Sequence, residues 1–157
     1  MNGKEAEKFY RPTVDFEVYK KNLMSDEEYE ARTFKSEFNH FMKIQEVTIK
    51  KLADRIGMEA KQLSRYSTGE RKPDRLTVIR IALGLLLSVD DINRLLSSAD
   101  YADLTVKKKD DAMVLSNYDK ILDAIKKNDE RQDYTFFDEF NEMMEDAGCS
   151  IIFELPY

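Results

Sequence analysis

Apolar side chains return every three or four positions along most of this chain, the spacing of helices that bury one face. Phe34, Phe38, Phe41 and Met42 stand at i, i+4, i+7 and i+8, and Ser25 followed by Glu28 has the form of a capping box. The pattern therefore predicts a helix over about 26–44. A second, short helix is predicted to start at Thr48, carry Ile49, Leu52, Ala53 and Ile56, and stop at Gly57. A third begins near Glu59, carries Leu63 and Tyr66, and ends at Thr68 and Gly69. Asp74, after Pro73, can cap a fourth that runs through Val78, Ile79, Ala82, Leu83 and Leu86, and Ser88 followed by Asp91 opens a fifth with Val89, Ile92, Leu95 and Leu96. Periodicity fades over 100–109, which reads as a connection. Val114, Tyr118, Ile121 and Ile125 then mark a sixth helix, and 128–133 reads as a polar loop. Phe136, Phe140, Met143 and Ala147 share one face of a seventh helix, stopped by Gly148.

Two stretches break the helical rhythm. Val14, Phe16 and Val18 alternate with Asp15 and Glu17, and the tail holds Ile151, Ile152, Phe153 and Leu155, so each reads as a short β-strand and the two can pair. The alternative for residues 1–24 is a plain N-terminal arm. On these patterns the chain divides into an arm at 1–24, a helical unit at 25–98 and a helical extension at 99–157.

A length of 157 residues is about one domain, and 42% hydrophobic beside 36% charged residues supports a packed core under a charged surface. The net charge of −6 points away from nucleic acid until it is located. Residues 43–80 hold ten basic and five acidic groups, whereas 81–157 hold eight and seventeen. Only the middle segment has the charge to attract a phosphate backbone. The single cysteine, Cys149, excludes an internal disulfide and a multi-cysteine metal site and fits a reducing compartment; a lone His40 excludes a histidine-rich site. The most apolar run, 81–87, is far short of the roughly 20 residues of a membrane span, and the polar start MNGKEAEK lacks the form of a signal peptide. These features predict a cytoplasmic protein with no membrane, metal or cofactor partner.

Within the basic segment Ala53, Gly57 and Leu63 follow one another at intervals of four and six. Two helices that cross closely need a small residue at the contact, which Ala53 supplies, and a tight turn needs a residue tolerant of positive φ, which is Gly57. Leu52, Ile56, Met58, Leu63 and Tyr66 can fill the wedge between them. With KLADRIG, the later S-R-Y-x-x-G-E-R-K-P run and the ALGL segment, residues 34–97 resemble the bacterial and phage repressor family called Xre, or Cro/C1-type helix-turn-helix proteins.

The resemblance implies a mainly α fold: a five-helix Cro/C1-type helix-turn-helix domain followed here by a helical extension. It implies that the third helix lies in the major groove, with Ala60, Lys61, Gln62 and Arg65 facing bases. Thr48, Lys50, Thr68, Gly69, Lys72 and Arg75 would then hold phosphates. Double-stranded DNA is the implied partner, bound by a homodimer that reads two half-sites. The chain departs from the family at Ile49, where a glutamine is usual, and at Glu59, where serine or threonine usually caps the third helix. Ser67 and Met42 stand where the family often pairs a glutamate with an arginine, so both partners are missing together.

Other chemistry is thin. His40 has no companions at metal spacing, Cys149 reads as a buried or half-buried spectator, and acid pairs such as Glu145 and Asp146 read as helix surface, so no catalytic site is predicted. The acidic extension, with its aromatic and methionine faces, is the candidate surface for self-association or for a partner protein; the plainer alternative is that it packs back on the five helices. The expected function is a sequence-specific transcriptional regulator, a repressor by resemblance. The alternative is an adaptor or antitoxin-like module that keeps the fold without specific DNA binding.

Overall fold

A computed structural model describes residues 33–131 and 133–153. Its first described helix, α1 (Phe34–Gln45), starts where the extended Thr33 accepts the Ser36 N–H on its side chain at 3.3 Å, so the helix expected over 26–44 does not run through residue 33, and its expected start lies outside the described residues. The Ser25–Glu28 capping box lies outside the described residues. Three further starts fall where a capping side chain was expected: Thr48 for α2 (Ile49–Ile56), Asp74 for α4 (Arg75–Gly84) and Ser88 for α5 (Val89–Ser98). Each of these residues is extended, and its oxygen accepts the N–H three positions on, at 3.1, 2.8 and 3.2 Å respectively. Between α2 and α4 lies α3 (Ala60–Thr68).

Helix α4 is buried on nearly every side, from Thr77 to Gly84 apart from Arg80, and it packs on α5 and α2. It ends at Gly84 rather than running through Leu86: Leu86 turns to φ +59, and the Leu87 N–H returns to the Ala82 carbonyl at 3.1 Å. The leucine run continues as a buried turn because Leu85 and Leu87 fill the core whether or not the backbone is helical. Gly84 is required by approach, since a Cβ there would stand 2.5 Å from Ile56 Cγ2 and 2.6 Å from Leu52 Cδ1. Gly84→Ala gains about 1 kcal/mol of helix propensity but overpacks the α2–α4 contact, at a cost of about 1–3 kcal/mol. A net loss in urea unfolding is expected, and a variant as stable as the parent would refute the close contact.

The extension contains α6 (Lys109–Ser116), α7 (Tyr118–Arg131) and α8 (Thr135–Asp146). The single sixth helix expected from the pattern is broken at Asn117, whose amide Nδ2 and backbone N–H both go back to the Met113 carbonyl. The polar stretch at 128–131 is helical, not a loop, with Asn128 buried. The buried face of α8 is Phe137, Phe140 and Met144, one step round from the expected set, and Met143 is 45% exposed. The Phe136–Phe137 and Met143–Met144 doublets suit either register. The tail selects one, because the Phe153 ring lies 4.7 Å from that of Phe137.

The tail is a correction to the strand expectation. Ile152 and Phe153 are both buried in an irregular segment, which breaks the alternation a strand requires, and Asn141 Nδ2 donates to the Phe153 carbonyl at 2.8 Å. The 14–18 stretch lies outside the described residues. Among the described residues the fold is helical throughout, with no strand, and α7 packs against α2 and α4, so the extension lies on the preceding helices within one compact unit that starts at Thr33.

Candidate nucleic-acid interface

The α2–α3 pair is built around the Ala53 carbonyl, which accepts the N–H groups of Gly57 at 2.9 Å and Met58 at 3.1 Å. Gly57 takes φ +67 to make that turn. Leu63 and Tyr66 are buried beneath, so α3 is held with a fixed outward stripe: Ala60, Lys61, Ser64 and Thr68 are exposed along it. Ser64 was missed by family correspondence, although plain helical spacing from Lys61 to Thr68 passes through it.

The remaining expected base contacts are tied within the helix and its following loop. Gln62 Nε2 donates to the Tyr66 hydroxyl at 2.9 Å, and Arg65 Nε stands 3.6 Å from Glu70 Oε2. Glu59 is exposed at the start of α3 and its side chain makes no capping bond.

The expected phosphate set divides. Lys50 is exposed beside Thr48 at the start of α2, where by helix geometry the first N–H groups lack intrahelical acceptors. Thr68 donates its hydroxyl to the Arg65 carbonyl at 3.1 Å, Gly69 caps α3 at φ +81, and Lys72 is exposed, with Nζ 4.0 Å from Asp100 Oδ2 and 4.9 Å from the Tyr101 ring centre. Arg75 does not belong with them. Its Nη1 and Nη2 donate to both oxygens of the Asp111 carboxylate at 2.9 and 2.8 Å, while Nε and Nη2 reach the Ala102 and Asp103 carbonyls. Asp111 is fully buried, and an unpaired carboxylate there would be prohibitive, so Arg75 is drawn inward. The side-chain hydrogen bond to Asp111 raises the Arg75 pKa. Burial pushes the Asp111 carboxyl up, but the Arg75 and Thr105 hydrogen bonds outweigh it and hold the group below its ordinary value.

No family model, curated protein or solved structure matches this chain.

Other long-range ion pairs among the described residues also escaped the sequence. Arg55 on α2 grips Asp129 on α7, Nη2 to Oδ2 at 2.6 Å, and also donates to the Gly84 carbonyl at 2.7 Å; Glu37 on α1 is buried against Arg94 on α5. Of the basic residues in 43–80, Arg55 and Arg75 thus attach the extension, with Lys51 Nζ 3.8 Å from Asp129 Oδ2 at the edge of the first contact, and the lysines stay exposed. Ile49, where the family has glutamine, is half-buried against the core. Met42 is buried, and in place of a charged link between α1 and α3, Asn39 Nδ2 donates to the Ser67 carbonyl at 2.8 Å. Cys149 is half-buried, and burial followed by a hydrogen bond with Asp110 raises its thiol pKa. Among the described residues no helix is long and apolar enough to cross a membrane.

Proposed function

We propose that this chain is a sequence-specific DNA-binding regulator of the Cro/C1 helix-turn-helix type, a homodimer that docks α3 in the major groove and represses by occupying its site. The observation that carries this reading is the outward stripe of α3, with Ala60, Lys61 and Ser64 exposed on a helix whose inner face is fixed by Leu63 and Tyr66. Lys61 suits guanine, Ala60 a thymine methyl and Ser64 a donor or an acceptor on a base edge, while Lys50 and Lys72 supply phosphate contacts at the flanks. Arg65 would exchange its exposed Glu70 partner for DNA, whereas Arg75 takes no part.

Gel shift against random duplex DNA across a salt series tests the reading. Affinity is expected to fall linearly on a log–log salt plot, and Lys50→Ala or Lys72→Ala should each reduce the slope by about 1. Lys61→Ala should cost about 1–3 kcal/mol and relax preference at one base position. Absence of any shifted band at low salt would sink the proposal.

Self-association is assigned to the extension, where Met143 is 45% and Ile151 38% exposed. Truncation after Ser98 would strip the cover from α2 and α4, so point changes are the cleaner test. Met143→Glu with Ile151→Glu should convert a dimer to a monomer in light scattering, and an unchanged mass would remove the role given to this surface. The second reading, an adaptor, is favoured by Glu59 and Glu70 flanking α3 and by the loss of Arg75 to the interior. It predicts capture of a protein through the acidic helices that added DNA does not disturb.

A further inference from the structure

We infer that the groove bounded by the start of α1, the end of α3 and the end of α5 binds a small ligand with an apolar, ring-sized body and a single anionic head. The groove holds about 390 Å³, within the roughly 300–1,000 Å³ of small-molecule sites. Its floor is apolar: Phe34, Tyr66 and Ala99 line it, and all three are core residues. Its rim carries three cations, Lys35, Arg71 and Lys72, against one carboxylate, Asp100.

These charges are not equivalent. Lys72 leans to one side, toward Asp100 and over the Tyr101 ring. Lys35 and Arg71 are exposed and have no acidic partner among the described residues. At Gly69 a Cβ would meet Lys35 Cδ at 3.3 Å, so the missing side chain lets the lysine stem lie along the turn beside the cavity. An anion held by Lys35 and Arg71 would place its apolar body over Phe34 and Tyr66. An uncharged body would gain the floor alone, and a bare inorganic anion the rim alone, so the composition of the site selects a molecule with both parts.

The groove also touches the proposed DNA face through Gly69 and Lys72. On the DNA-binding reading, a ligand seated there would compete with phosphate for the loop after α3 and lower operator affinity. That coupling rests on the proposed function, whereas the binding site itself does not.

The test uses the full chain, labelled with nitrogen-15 and titrated with 1-naphthaleneacetate and with its neutral amide. Saturable amide shifts are expected at 33–35, 66–72 and 98–101, with the neutral compound bound about tenfold more weakly. Lys35→Ala with Arg71→Ala should weaken the acid about tenfold and leave the neutral amide unchanged, and because both side chains are exposed the variant keeps its fold. Ala99→Leu, which fills the floor, should weaken both compounds. No saturable shift, shifts confined to other helices, or equal affinity for acid and amide would each overturn the site. The acid is also expected to weaken the gel shift. Binding of the acid without that effect would overturn the coupling alone, and loss of the gel shift in all conditions would count against the DNA reading while the titration still decides the site.

Discussion

Asp111→Asn should lower the unfolding free energy at pH 7 by about 3 kcal/mol, because it removes the charge that balances Arg75. Breaking a buried pair costs about 3–5 kcal/mol. The lower end applies because Arg75 is 18% exposed and keeps the Ala102 and Asp103 carbonyls. For a unit of this size the loss corresponds to ~10 °C in Tm. The pH dependence has a defined sign. The folded Asp111 carboxyl lies below its ordinary value, so its contribution is complete above the unfolded pKa and is lost as pH falls through the folded one. The gap between parent and variant in urea unfolding should therefore be large at pH 7 and narrow in strong acid. A gap that stays constant, or a variant as stable as the parent, would show that the pair does not hold α4 to α6.

Phe153→Ala is expected to cost about 3–5 kcal/mol, the range for removing a phenylalanine from a packed core. Nothing about its place near the chain end suggests this. Its ring is fully enclosed and packs against both Phe137 and Phe140, and its carbonyl takes the Asn141 amide. Without the ring, α8 loses what selects its register between the two doublets, so Met143 and Met144 should also change environment. Methyl NMR of the methionines together with urea unfolding checks both parts. A loss below about 1 kcal/mol would mean that the tail is an ornament on α8 and not part of its core.

The helical elements from Thr48 to Ser98 were legible because their signals are local. A hydroxyl or carboxylate before an apolar period, and Gly57 or Gly69 after one, mark ends without reference to the rest of the chain. Errors gathered where the pattern was degenerate. The α8 doublets fit two faces, the leucine run after Gly84 fits helix or buried turn, and an apolar tail fits a strand or a plug. The candidate interface divides in the same way. Ala60 and Lys61, which the resemblance implied, are exposed on α3, while Arg75 looked identical to an exposed arginine until Asp111, thirty-six residues later, was brought beside it.

By itself the sequence determined where the helices between Thr48 and Ser98 begin, most of the residues that face the core there, and that positive charge is concentrated in one segment. Those properties depend on neighbours within a turn or two, so adjacent side chains suffice to set them. Only the tertiary structure decided which cations remain free, because a buried carboxylate must be neutralised by whatever charge the fold brings near. It also decided the groove beside α3, whose floor and rim come from three separate stretches of chain. The extension that makes the total charge acidic is thereby tied to the basic helices through Arg55 and Arg75, two of the charges that had marked that segment for DNA.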